Sequence, residues 1–238
     1  REVHIVGGLH PTWDYEFYLE MIRKIRARFP DIQIKAWTAV EVDYFGKLAK
    51  KDVREVLADL KEAGMNAMTG GGAEVLSQRV RNILFPAKID ADRWLDIHRM
   101  AHETGIRSNA TLLYGHIETP EEVALHLLRL REVQDATGGF MSFIPLALQH
   151  DGTGLADRPT AAGLDLRVIA AGRLLLDNVP HIKAYWVMLG VPTATVALSF
   201  GADDLDGTIG KETIAHMAGA TSPVQLLREQ LEALIRDA

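Results

Sequence analysis

The chain has 238 residues, 47% hydrophobic and 24% charged, with a net charge of −6 and no cysteine. This excludes a disordered chain, a collagen-like repeat and a disulfide-stapled scaffold. The acidic balance disfavours nucleic acid as a partner, and no apolar run reaches the roughly 18 residues needed to insert into a membrane. The Arg1 end carries neither a signal-peptide nor a transit-peptide pattern. With the missing cysteines, that points to a cytoplasmic setting.

In chain order, short β-branched or apolar runs alternate with helical patterns. Strands are predicted at Val3–Val6, Ile32–Trp37, Ala67–Thr69, Ser108–Tyr114, Phe140–Leu148, Ile182–Leu189 and Val196–Phe200. Between them the helices are well punctuated. One starts near Asp14. Asp52 and Glu55 form a capping-box pattern ahead of Val53, Val56, Leu57 and Leu60, and Gly64 ends that helix. Gly105 ends the helix carrying Trp94, Ile97 and Ala101. Thr119-Pro120-Glu121-Glu122 reads as an N-cap with proline at N1, and Gly138 stops the helix begun there. Leu164, Val168, Ala171 and Leu175 mark another helix, and Ser222–Asp237 a last one. Strand–helix alternation of this kind means parallel strands with βα crossovers. About seven strand signals fit a barrel or a doubly wound sheet. Polar and glycine-rich strand ends fit the ligand-binding face of a barrel. No linker divides the chain, so one domain over residues 1–238 is expected.

The loops after the strands could carry chemistry. Gly7-Gly8-Leu9-His10-Pro11 lets a backbone approach a ligand closely, or is a tight turn. Gly70-Gly71-Gly72-Ala73-Glu74 sits between a strand and a helix, as an anion or cofactor cradle would. It is neither a Walker loop nor a dinucleotide fingerprint. Tyr114-Gly115-His116-Ile117-Glu118 closes a strand bearing Asn109 and Thr111, and is otherwise a polar loop before the Thr119 cap. The acidic run from Gly201 to Thr208 invites a calcium reading. That reading fails because Ala202 and Thr213 stand where the first and last carboxylates belong. His98, His102 and His126 read as surface or packing residues. His10, His116, His150, His181 and His216 lie in or beside loops and are the candidates for proton transfer. No metal-ligand pair and no nucleophile elbow is present.

Six segments in order, HIVGGLHP, IKAWTAVEVDYF, GGGAEV, SNATLLYGHIETPEE, HIKAYWVMLG and FGADDLDGT…HMAGA, resemble the radical S-adenosylmethionine (SAM) family, within it the aminofutalosine synthase group. The resemblance implies an α/β fold, a TIM barrel incomplete over these residues. It also implies a reaction: SAM is cleaved with the help of a [4Fe–4S] cluster and an electron donor. The 5′-deoxyadenosyl radical then adds to the small-molecule substrate 3-[(1-carboxyvinyl)oxy]benzoate, giving 6-amino-6-deoxyfutalosine for menaquinone.

Carried over by position, Gly7 and Gly8 resemble the motif holding the methionine end of SAM. Leu113, Gly115 and Glu118 resemble a motif beside the adenosine, with Thr111 in place of its first glycine. Ile144 and Leu146 would lie near the adenine. Gly70, Gly71, Gly72 and Glu74 would line the ribose or substrate side, and His10, Glu41, Asn109, Tyr114, His116, Asp203 and Asp204 the pocket wall. The family binds its cluster through a CxxxCxxC loop, and this sequence holds no cysteine. Its first strand matches the family's second, so the resemblance implies that strand 1 and the cluster loop lie upstream. Alternatives are a cyclic dehypoxanthinylfutalosine synthase, a deazaflavin synthase subunit, or a cysteine-free barrel that binds a nucleoside without catalysis.

Overall fold

The computed structural model describes residues 1–149, 154–155, 160–210 and 214–238. His150 and Thr213 lie outside these. The elements run β1 (Glu2–Ile5), α1 (Tyr15–Arg28), β2 (Gln33–Ala36), α2 (Ala39–Ala49), α3 (Val53–Ala63), β3 (Ala67–Met68), α4 (Gln78–Leu84) and α5 (Ala91–Glu103). Then come β4 (Arg107–Tyr114), α6 (Pro120–Thr137), β5 (Phe140–Ala147), α7 (Ala162–Leu175), β6 (His181–Ile182), α8 (Trp186–Leu189) and α9 (Val191–Ala197). A 3₁₀ turn (Leu198–Phe200), α10 (Ile214–Met217) and α11 (Arg228–Asp237) complete the described chain.

The six strands form one sheet in the order β1-β2-β3-β4-β5-β6, every pair parallel. With no reversal of order, right-handed crossovers place the helices between the strands, α1–α7, on one face. Ile34, Ala36, Met68, Ala110, Leu112, Phe143 and Ile182 point to that face and join the continuous apolar core. The other face carries Glu2, His4, Lys35, Thr69, Asn109, Thr111, Ser142 and Lys183, by the period-2 alternation of strands. That face is concave. In a flat sheet the edge strands would stand about 24 Å apart, yet Lys183 and Asp206 act electrostatically on His4 across the lumen. Partial burial and Lys35 lower the His4 pKa.

The caps explain where the helices begin. Asp14 accepts from the Phe17 N–H at 2.9 Å. Asp52–Glu55 and Thr119–Glu122 close capping boxes. Gly64 and Gly138 end their helices in the left-handed region, at φ 113° and 63°.

Three expectations are corrected. Val196–Phe200 is helical, not a strand. Pro192 sits in the first turn of α9, and its buried residues, Ala194 and Ala197, are three apart, while Val196 and Phe200 are exposed. The seventh barrel position is reduced to one parallel bridge, Lys183 to Asp204. Of Ile182–Leu189 only the start is strand, and Trp186–Leu189 turn into α8. The last helix begins at Arg228 rather than Ser222: Pro223 holds Ser222 away from helical backbone, and the start is fixed at Leu227, whose N–H donates to Gln230 Oε1 at 2.7 Å.

The helical histidines are packing residues. His98 and His126 are buried. The Thr137 hydroxyl donates to Val133 O at 2.8 Å, so its oxygen accepts from His102 Nδ1, 2.7 Å away. His102 Nε2 then accepts from the Ser108 hydroxyl at 2.8 Å, and Ser108 Oγ accepts from His98 Nδ1 at 2.8 Å. This ordering requires the His102 ring to be neutral, since its Nε2 accepts. Burial lowers the pKa of both His98 and His102, the latter to about 4.

Candidate functional site: the polar mouth of the barrel

Parallel strands bring the loops at their C-terminal ends to one end of the sheet. There Gly7 and Gly8 follow β1, Thr38 follows β2, Gly70–Gly72 follow β3 and Gly115–Glu118 follow β4.

Thr38 caps α2 and forms a capping box with Glu41. Glu41 Oε2 accepts from the Thr38 N–H at 2.8 Å, and its Oε1 accepts from both Gly7 N–H (2.8 Å) and Gly8 N–H (3.0 Å). The carboxylate is only 2% exposed. His10 lies beyond this loop, stacked on Trp13 at 4.0 Å between ring centroids, and its carbonyl accepts from the Tyr44 hydroxyl at 2.8 Å.

The triple-glycine loop is held by its carbonyls. The Thr111 hydroxyl donates to Gly70 O, Trp94 Nε1 to Gly71 O at 3.1 Å, and Arg81 reaches Ala73 O at 2.6 Å and Ile89 O. A Cβ on Gly70 would stand 2.7 Å from Asn109 O, a backbone atom that cannot move aside. Gly71 packs by Thr38, where a Cβ would meet Thr38 Cγ2 at 3.0 Å, so the two glycine loops flank Thr38 and Glu41. Glu74, at φ 48°, pairs with Lys88.

Deeper in the lumen, Ser142 Oγ donates to Asn109 Oδ1 at 3.0 Å. Leu113, Ile144 and Leu146 share that face by alternation.

The Gly115–Glu118 turn folds on itself. Glu118 accepts from the Gly115 N–H at 2.5 Å and the His116 N–H at 2.9 Å, and His116 Nδ1 is 2.8 Å from the carboxylate. Burial pushes the Glu118 pKa up, but His116 and these N–H groups outweigh it and leave the carboxyl below its usual range. A cavity of about 1010 Å³ adjoins this turn, but it lies between α6 and α7 on the helical face, outside the lumen.

Two expected wall residues are placed elsewhere. Tyr114 points out of the lumen, and its hydroxyl donates to Asp165 Oδ1 of α7 at 2.8 Å. Asp203 is drawn to the start of β6, where it accepts from the Ile182 N–H at 2.8 Å and pairs with His181 and Arg173. Asp204 does face the lumen. It and Asp206 hold Lys183 at 2.9 and 2.5 Å. Burial lowers the Lys183 pKa, but Asp206 and Asp204 more than reverse this. Asp206, His4 and Lys35 were not anticipated as site residues. Alternation along β1 and β2 put His4 and Lys35 on one face, and that signal was legible.

The residues present do not fit an iron–sulfur cluster. The chain has no thiolate to offer, and among the described residues no group of three or more His, Asp or Glu could hold a metal. No described helix is long and apolar enough to cross a membrane.

Comparison with known proteins agrees with this layout. The chain is 51% identical to the aminodeoxyfutalosine synthase of Thermus thermophilus, over 98% of its own length and 64% of that protein. It is 43% identical to the Streptomyces coelicolor protein of the same name, covering all of this chain and 64% of the relative. It is also 43% identical to the 5-amino-6-(D-ribitylamino)uracil–L-tyrosine 4-hydroxyphenyl transferase of Methanopyrus kandleri, covering 66% of that protein. The chain thus spans about two thirds of these relatives. The crystal structure of methylornithine synthase superposes with a TM-score of 0.72 over 99% of this chain and 66% of that one, at 16% identity, which speaks for the fold alone. Residues 137–238 match the CofH/MqnC C-terminal region. Residues 1–130, which contain both glycine loops and the first four strands, match the radical SAM superfamily, and the chain belongs to it.

Proposed function

We propose that these residues form the barrel of an enzyme that joins the 5′-deoxyadenosyl group of SAM to 3-[(1-carboxyvinyl)oxy]benzoate, with loss of a carboxyl group, giving 6-amino-6-deoxyfutalosine. The observation that carries this reading is the 51% identity to the Thermus thermophilus synthase across 98% of the chain. In this reading Gly7 and Gly8 receive the methionine end of SAM. Leu113, Gly115, Glu118, Ile144 and Leu146 lie along its adenosine. Gly70–Gly72, Glu74, Asn109, His10, His116 and Asp204 border the acceptor substrate. The polar lumen supports it: Asn109, Thr111 and Ser142 are buried hydrogen-bonding groups of the kind that a site for a nucleoside and a dicarboxylic acid uses. Cleaving SAM needs an electron through an iron–sulfur cluster, and we assign that cluster to none of these residues. An electron donor would be a further partner, in a single barrel domain in the cytoplasm.

The equal 43% identity to the Methanopyrus kandleri transferase favours a second reading, transfer of a 4-hydroxyphenyl group from tyrosine to a ribitylaminouracil. One experiment separates them. These 238 residues replace the matching segment of the Thermus thermophilus enzyme, and the reconstituted chimera is offered each substrate set. The expected product is 6-amino-6-deoxyfutalosine, formed within about tenfold of the parent's rate, with no turnover of tyrosine and the uracil. Turnover of that pair alone would reverse the assignment.

A further inference from the structure

We propose that the Lys35 ammonium, on the lumen face of β2, takes the ring carboxylate of the acceptor substrate in exchange for Glu2, and so selects an anionic acceptor over a neutral one. The inference rests on the reading above, in which the acceptor is 3-[(1-carboxyvinyl)oxy]benzoate, and names the residue that recognises it.

Strand parity places the charge. Ile34 and Ala36 turn to the helical core and are fully buried, so Lys35 between them turns into the lumen. A lysine is almost never buried unless it is paired. This one is 8% exposed, and its ammonium makes a single hydrogen bond, to Glu2 Oε1 at 2.8 Å. Two of its three N–H donors have no partner among the described residues. Buried donors left unspent are costly, and on an ammonium they favour an anion. His4, the register partner of Lys35, brings no charge of its own, because its lowered pKa leaves it neutral at pH 7.

The two ends of this ion pair are unequally held. The Lys35 side chain is 10% exposed and that of Glu2 46%, and Glu2 makes no other side-chain bond among the described residues. Glu2 is therefore able to turn out to water while the ammonium stays inside. Lys183, the other lumen ammonium, is different. It holds both Asp204 and Asp206, and these are fixed in turn: Asp204 Oδ1 accepts from the Asp206 N–H at 2.6 Å, and the Asp204 carbonyl accepts from the Ala184 N–H at 2.8 Å. Of the two, Lys35 is the one open to exchange.

Depth decides which carboxylate it takes. Lys35 precedes Thr38 by three residues, about 10 Å down the strand from the mouth. In the reading above, the double bond of the acceptor meets the adenosyl group at the mouth. The ring carboxylate stands across the ether oxygen from that double bond, so it is the one that reaches down. Asn109 of β4 adds a neutral donor on the same face. It is 3% exposed, its Oδ1 is taken by Ser142, and its Nδ2 has no partner among the described residues.

The test is calorimetric binding of three ligands to the whole chain: 3-[(1-carboxyvinyl)oxy]benzoate, the same compound without the ring carboxylate, and the ribitylaminouracil of the second reading. Lys35→Met keeps the length and removes the charge. It is expected to weaken the dicarboxylic acid about twentyfold and the monocarboxylic acid less than about twofold. Glu2→Gln removes the competing carboxylate and is expected to tighten the dicarboxylic acid about threefold, without moving the monocarboxylic acid. A lysine that only braces the barrel against Glu2 would give no such gain. Thermal unfolding checks that each variant is folded. Should Lys35→Met fail to fold, Glu2→Gln decides alone, since it leaves Lys35 in place.

Equal losses for both acids in Lys35→Met, or no loss, would overturn the proposal and leave the reading of the acceptor standing. So would a dicarboxylic acid bound no more tightly by Glu2→Gln. An unsubstituted chain that binds the ribitylaminouracil and not the dicarboxylic acid overturns that reading and this inference with it, as does one that binds none of the three.

Discussion

Replacing Arg81 by Met is expected to destabilise the protein by about 3 kcal/mol, with a comparable loss of order in the triple-glycine loop. Arg81 is 2% exposed and pairs with no carboxylate among the described residues. Burial lowers its pKa. Its guanidinium instead ties Ala73 O, at the end of the glycine loop, to Ile89 O, ahead of α5. Met fills a similar volume but leaves both carbonyls without donors, at roughly 1–3 kcal/mol for each buried group. Arg81→Lys should not restore the loss, since one ammonium cannot span two carbonyls as the planar fork does. Denaturant unfolding measures the change, and a loss under about 1 kcal/mol for Arg81→Met would show that the clamp is not needed.

The second large effect is a loss of stability in weak acid. His98, His102 and His126 are held neutral by burial, His102 with a pKa of about 4 and His126 of about 3. In the unfolded chain each titrates near 6.5. Between those values the unfolded chain binds more protons than the folded one, so stability falls as pH falls. The contribution is complete above about pH 6.5 and is lost progressively toward the folded-state values. At pH 5 His102 and His126 each contribute a loss of about 2 kcal/mol, roughly 4 kcal/mol for the two, a large share of the stability of an ordinary domain, and His98, lowered by its burial, adds to the loss in the same direction. Urea unfolding at pH 7.5 and pH 5, with proton uptake measured on unfolding, reads this directly. A stability unchanged between the two would contradict the burial of these rings as neutral groups.

Much of this architecture was legible in the sequence. Caps at Asp14, Asp52 and Thr119 and stops at Gly64 and Gly138 gave helix ends, because capping is local chemistry between residues two to four apart. The parallel order followed from alternation. The two misread strands, Val196–Phe200 and the end of Ile182–Leu189, share a cause: a short apolar run does not reveal its period. Val196–Phe200 looked like a strand until the spacing of Ala194 and Ala197 is set against the exposure of Val196.

At the site, the glycine loops announced themselves and their wiring did not. Thr38 and Glu41 carried an ordinary capping-box spacing, while the bond from Glu41 to Gly7 spans 34 residues and has no local signature. Tyr114 shows the reverse error. It sits in the right loop, and the parity of β4 sends it to the helical face, where Asp165 waits 51 residues on.

The strictly sequential strand order also shapes how the chain assembles. Each strand pairs with the next one along, so every sheet contact closes the loop of a single crossover, and the entropic cost of closure rises only slowly with loop length. No pairing must wait for a distant segment. The longest register joins β4 to β5, eight residues each, whereas β2 and β3 share one pair and β5 and β6 two. Assembly therefore is expected to start at the β4–β5 pair, with seven register pairs against four for β1–β2, and to spread from there to both edges. Amide hydrogen exchange should be slowest in β4 and β5 and fastest in β1 and β6; uniform protection across the sheet would refute this. The strands that end just before Gly7, Gly8 and Lys183 would then be the last to settle, so the parts of the mouth that we propose to hold a ligand belong to the most readily opened part of the fold.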